Sequence, residues 1–183
     1  MMTTIRGLGS HKALINVYIA NTPPMQAYKQ LNTISPMVQG EIAVVGSECG
    51  NGWRKVFNVY AKLLYALGSE YYSFSKMAST WQLYRDNYLL QEGSDTALLF
   101  SPPSLLSEIE NKQKVQPIQI IMGRTYAKQL VNQGEISEPL TWLNEEFAVA
   151  EQSRIIVCPY FDYRQLSNIK ITYLTELINN FHR

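Results

Sequence analysis

The chain has few residues suited to thiol or metal chemistry, with two cysteines and two histidines among its 183 residues. Cys49 and Cys158 are too few for a disulfide framework and lack the paired spacing of a zinc or iron–sulfur site. The expectation is a reducing, cytoplasmic setting with no metal and no cofactor. His11 and His182 lie near the two ends of the sequence, outside every segment that could form a site. This disfavours Ser–His and Cys–His catalysis. Charge of one sign is also lacking: 16 basic against 15 acidic residues leave a net charge of +1, so no global field draws nucleic acid or acidic lipid to the chain. No apolar run approaches the roughly 18 residues of a membrane span, and the N-terminal segment has neither the apolar core nor the cleavage site of a signal peptide. GxGxxG and GxxxxGK[ST] are both absent, which disfavours dinucleotide and nucleoside-triphosphatase chemistry.

What is present is an apolar content of 46%, enough for one α/β domain spanning residues 1–183. Strand-length apolar runs alternate with helical periodicity, the pattern of a mostly parallel sheet covered by helices. The expected architecture has three layers, α/β/α, around a short, mainly parallel sheet of four to five strands. Residues 1–40 read as an N-terminal extension whose Ala13–Ala20 run is an edge or first strand, stopped by Asn21-Thr22-Pro23-Pro24. Glu41–Gly46 reads as a central strand, apolar on both faces. Trp53–Leu67 carries a helical stripe with Gly68 as C-cap, and Ala78–Leu90 a second. Strands follow at Thr96–Phe100, Ile118–Met122 and Arg154–Cys158, parallel to Glu41–Gly46. Helices are expected at Ser104–Lys112, Arg124–Val131, Leu140–Ala150 and Ser167–Phe181, with Ser167 as N-cap.

In such a sheet a ligand sits beyond the carboxyl ends of the strands. The segments there read SECGNGWRK, SPPS, GRTY and CPYFDYRQ. Glu48 and Asp162 are the carboxylates able to orient a water. Gly46, Ser47, Cys49, Gly50, Asn51 and Trp53 on one side, with Cys158, Tyr160 and Phe161 on the other, are the candidate ligand-binding residues. Arg54, Lys55, Arg124 and Arg164 form a candidate basic rim for phosphates, interleaved with aromatic planes suited to stacking a base. Each type also has an ordinary use: the carboxylates as solvated loop or capping groups, the glycines as turns, the cysteines and aromatics as core.

The order of these segments resembles the uracil-DNA glycosylase superfamily, including its mismatch-specific and iron–sulfur branches. Those proteins have a strand ending in a motif such as GEAPG or GINPG, and IAVVGSECGNGWRKVF is similar in place. TALLFSPPSLLSEIE is similar to their strand running into a proline-containing segment, and IQIIMGRTYA to their strand-glycine-helix VxxLGxxA. RIIVCPYFDYRQL stands where the family has HPS or HPA. The resemblance implies the fold, a nucleobase-sized cleft and N-glycosidic hydrolysis, with an acid or asparagine of the first motif positioning water and the last-motif histidine stabilising the leaving base. Here Cys158 replaces that histidine, Ser47 directly follows Gly46, and the four cysteines of the iron–sulfur branch are absent. Two classes of function remain: a nucleobase- or nucleic-acid-binding protein, with or without hydrolysis, and a non-catalytic interaction protein on the same fold. Neither involves a membrane, and no protein partner is indicated.

Overall fold

A computed structural model of the chain describes residues 4–103 and 116–183. Among these residues eight strands form one sheet: β1 (Gly7–Gly9), β2 (Ile15–Tyr18), β3 (Ile34–Ser35), β4 (Thr96–Leu99), β5 (Ile118–Met122), β6 (Thr141–Trp142), β7 (Ala148–Ala150) and β8 (Ile155–Cys158). Their order is β3-β1-β4-β2-β5-β8-β7-β6. The central four, β4-β2-β5-β8, are mutually parallel. β1 runs antiparallel to β4 on one flank, and β7 and β6 continue antiparallel beyond β8 on the other. The sheet is larger than the expected four to five strands: β2, β4, β5 and β8 fall on expected segments and make the parallel core, and β1, β3, β6 and β7 flank it.

Strand periodicity assigns the two faces. Ile15, Val17 and Ile19, Ile118, Ile120 and Met122, and Ile156 and Cys158 join one apolar cluster. Tyr18, Ile121, Ile155 and Val157 join the other. The first face is covered by α3 (Asn51–Ala66) and α6 (Asn168–Asn180), with α2 (Glu41–Cys49) and α4 (Trp81–Asn87) outside α3. The second is covered by α5 (Arg124–Asn132) through Ala127 and Leu130. A short helix, α1 (Gln26–Lys29), follows β2. Within α3 the buried Tyr60 hydroxyl reaches the carbonyls of Ile15 at 3.2 Å and Ala97 at 2.9 Å, tying the helix to the starts of β2 and β4. The β1 strand packs so closely on β4 that a Cβ at Gly9 (φ 115°) would lie 2.8 Å from Ala97 Cα and collide with the Thr96 carbonyl oxygen.

Several expectations are corrected. Glu41–Gly46 is no strand; it opens α2, whose buried residues Ile42, Val45 and Gly46 follow helical spacing while Ala43 and Val44 are exposed. A short apolar run fits either period, and here the three-and-four spacing prevails. Glu41 starts the helix by accepting from Val38 N–H at 3.2 Å and from the Tyr28 hydroxyl at 2.8 Å. The Ala13–Ala20 run is not an edge strand: β2 pairs with both β4 and β5 inside the sheet, and is the first strand of the parallel core. Leu140–Ala150 is the β6–β7 hairpin in place of a helix: Asn144 Oδ1 accepts from the backbone N–H of Glu146 and Phe147, both at 2.8 Å, and fixes the turn. The Ser104–Lys112 helix lies outside the described residues. The other helices agree to within a few residues, although α4 is shorter than Ala78–Leu90 and is capped by Thr80, whose side chain accepts from Leu83 N–H.

Candidate functional site

Numbered along the chain, the parallel core has the order 2-1-3-4, so the connections that follow the neighbouring strands β2 and β5 lead in opposite directions, to β4 and to β8. That reversal is the place where doubly wound sheets open a crevice at their carboxyl edge. An open cleft of about 690 Å³ occupies this edge, between Ala20 after β2, Met122 and Gly123 at the end of β5, and Pro159 and Tyr160 after β8. Its remaining wall comes from the start of α5, the β6–β7 turn and the stretch from Arg164 to Lys170.

Gly123 makes this geometry. Its φ of 102° turns the chain from β5 into α5 without a side-chain cap, and its N–H donates to the Cys158 carbonyl at 2.8 Å, holding it across the end of β8. The first helical bond of α5 runs from Ala127 N–H to the Gly123 carbonyl. The N–H groups of Arg124, Thr125 and Tyr126 therefore have no acceptor within the helix, and all three residues line the cleft. Arg124 is exposed and donates to the Glu145 carbonyl at 3.1 Å. Tyr126 and Tyr160 are half-buried, and burial is the main cause raising both phenol pKa values. The Tyr160 hydroxyl lies 3.4 Å from Asn21 Oδ1, joining the loop after β8 to the loop after β2. Lys170 pairs with Glu146 at 2.7 Å across one side of the cleft.

Of the sequence-derived candidates, Tyr160, Arg124 and Arg164 line this cleft. Asp162 and Lys55 stand behind it as a clamp. Asp162 accepts from Arg164 N–H at 2.9 Å, pairs with Lys55 Nζ at 3.3 Å and lies 3.5 Å from Arg164 Nε. The Arg164 backbone N–H, ahead of the Lys55 and Arg164 side chains, holds its carboxyl below the usual carboxylate range. Lys55 sits in the first turns of α3, so the ion pair fastens the loop after β8 to that helix.

The segment from Gly46 to Arg54 forms the α2–α3 corner and contributes no residue to the cleft lining. Gly46 is buried against Arg54, while Ser47, Glu48, Gly50 and Asn51 are exposed; Asn51 accepts from Arg54 Nη1 at 3.0 Å. Cys49 is half-buried, its thiol pKa raised by burial and then by Glu48. Trp53, Cys158 and Phe161 are core residues: Trp53 packs on Phe57, Phe161 meets Tyr60 edge-on, and burial pushes the Cys158 thiol up. His182 belongs to the amino edge, its Nε2 2.6 Å from the Tyr72 hydroxyl. Among the described residues no three His, Cys, Asp or Glu side chains cluster in a way that could hold a metal, and no helix is long and apolar enough to cross a membrane.

Sequence reasoning missed Asn21, Thr125, Gln129, Glu145, Glu146 and Lys170. Asn21 had a usable signal, since it directly follows a strand-length run. Residues 6–179 match the model of a family described as a family of unknown function, DUF6942. No curated protein and no solved structure matches the chain.

Proposed function

The chain belongs to DUF6942, a family of unknown function, and on the geometry of its carboxyl-edge cleft we propose that it binds a nucleobase carried on a phosphate, as in a nucleotide or a nucleic-acid strand. The carrying observation is the convergence, at the reversal point of the sheet, of the uncapped start of α5, Arg124 and Arg164 with the rings of Tyr126 and Tyr160. N–H groups and guanidinium groups suit the phosphate, and half-buried aromatic rings suit the base.

The uracil-DNA glycosylase-like fold is part of the proposal. Its support is the placing of FSPP, GRTYA and PYFDYRQ after β4, β5 and β8, in the order the resemblance requires. The first motif then moves from Gly46–Gly52 to Ala20-Asn21-Thr22-Pro23-Pro24, since β2 is the first parallel strand. Asn21 takes over from Glu48 as the residue matching the family's water-positioning asparagine. Binding is favoured over hydrolysis. Asp162 is engaged by Lys55 and Arg164, Cys158 is buried where the family carries histidine, and neither histidine lines the cleft.

The test is a titration of thymidine and uridine monophosphates, and of single-stranded and uracil-containing DNA, across a salt series. Arg164→Ala should weaken DNA binding and lower the log–log salt slope by about one unit. Tyr160→Ala should cost about 1–3 kcal/mol with little change in slope. No saturable binding at about 50 mM salt, where screening is weak, overturns the proposal. The second reading, a non-catalytic interaction protein, then gains weight from the exposed Val38, Val44 and Leu83 beside and on the neighbouring helices α2 and α4.

A further inference from the structure

A second opening of about 370 Å³ adjoins the cleft, lined by Arg124, Lys128, Trp142, Asn144 and Glu145. It shares Arg124 and Glu145 with the first. Its one aromatic residue, Trp142, is in the outermost strand, β6, and is 36% exposed. Lys128 Nζ lies 5.7 Å and the Arg124 guanidinium carbon 5.5 Å from the ring centroid. The two cations are one turn apart on α5 and approach the indole from the helix side, while about a third of the residue stays accessible. The platform is preorganised. Asn144 fixes the turn by its two backbone contacts, Leu143 N–H donates to the Phe147 carbonyl at 2.8 Å, and Arg124 anchors the turn through the Glu145 carbonyl.

We infer that Trp142, with Lys128 and Arg124, forms a second base-stacking subsite, and that the ligand is single-stranded nucleic acid spanning both openings. This rests on the nucleotide reading of the first cleft and deepens it. Arg124 lies between the two sites, where a phosphate linking successive nucleotides would run. The indole supplies the stacking surface and Lys128 a further phosphate contact. Glu145 is the carboxylate common to both linings and opposes the strand. A mononucleotide carries one base and can fill one stacking site at a time, and this separates the inference from the reading beneath it.

The experiment compares thymidine monophosphate with single-stranded oligothymidylate on the full chain and on the Trp142→Ala, Trp142→Phe, Lys128→Ala and Glu145→Gln variants. Expected is an oligothymidylate affinity reduced roughly 5- to 150-fold by Trp142→Ala and largely restored in Trp142→Phe, with thymidine monophosphate binding unchanged. Lys128→Ala should reduce the salt slope for the oligonucleotide by about one unit, and Glu145→Gln should tighten it. If Trp142→Ala leaves oligonucleotide affinity unchanged, or lowers both ligands equally, the second subsite is wrong while the first cleft stands. If the parent binds neither ligand, both readings fall, and the exposed indole is left to serve a protein partner.

Discussion

Asp162→Asn separates a structural carboxylate from a catalytic one, because the two roles predict opposite signs. As a clamp, Asp162 neutralises part of Arg164 from 3.5 Å and pairs with Lys55 at 3.3 Å. A phosphate seated on Arg164 would lie about 7 Å from that carboxylate, where two unit charges in water interact by about 0.6 kcal/mol. Removing the negative charge should tighten oligothymidylate binding up to about three-fold at low salt, and less as screening grows. Asparagine keeps the oxygen that accepts from Arg164 N–H but loses the ion pairs. Stability should fall by about 1 kcal/mol, a shift of about 0.5 M in the urea midpoint at a slope near 2 kcal/mol/M. The loss has a pH signature. The carboxyl of Asp162 titrates below its unfolded value, so its contribution is fully present above that value, about 4, and disappears as pH falls through the depressed folded value. Parent and variant midpoints should differ at neutral pH and converge below about pH 4. The assays are urea unfolding across pH and fluorescence anisotropy of the labelled oligonucleotide. Binding abolished in a folded variant would place Asp162 on the ligand. Acid limbs that stay parallel would refute the clamp.

Tyr60→Phe removes the hydroxyl that reaches Ile15 and Ala97 and should destabilise by about 0.5–1.5 kcal/mol, read as a lower urea midpoint at constant slope; an unchanged midpoint would show that the buried hydroxyl contributes nothing net. Burial raises the Tyr60 pKa well above its ordinary value, so its protonated form supports the fold below about pH 10 and that support is lost as pH rises further; spectrophotometric titration should show a tyrosine fraction that ionises only with unfolding. Gly9→Ala should lower the midpoint by the equivalent of about 1–3 kcal/mol through strain and overpacking against β4, whereas Gly52→Ala, in the first turn of α3 with nothing within 4 Å of its added methyl, should be neutral or stabilising by up to about 1 kcal/mol.

The parallel core was legible wherever a strand-length run was bounded by a strong stop. Gly123 ends β5 and Pro159 ends β8, and Thr96–Leu99 runs into Ser101-Pro102-Pro103. Glu41–Gly46 lacked such a distinction: six residues with four apolar side chains satisfy both periods, and the choice was made by contacts from Tyr28 and Val38 that no local pattern encodes. The same holds for the β6–β7 hairpin, where the Asn144 turn outweighed helical spacing. At the site, Arg124, Arg164 and Tyr160 were legible because they directly follow strands. Trp53 and Phe161 also follow helix or strand boundaries yet point into the core, and burial depends on packing that spacing alone leaves open. Lys170 and Glu146 entered through α6 and the hairpin, whose proximity to the cleft is tertiary.

The interior position of β2 bears on how the chain is made. Ile15 is paired with Ile118 on one side and Thr96 on the other, so the strand is synthesised well before either of its partners. At about 5–20 residues per second, its polar-poor run stays without its sheet for several seconds. Such long-range closure slows folding. Without β2 the sheet would be split between β4 and β5, so the parallel core cannot close until residues about a hundred positions apart have met.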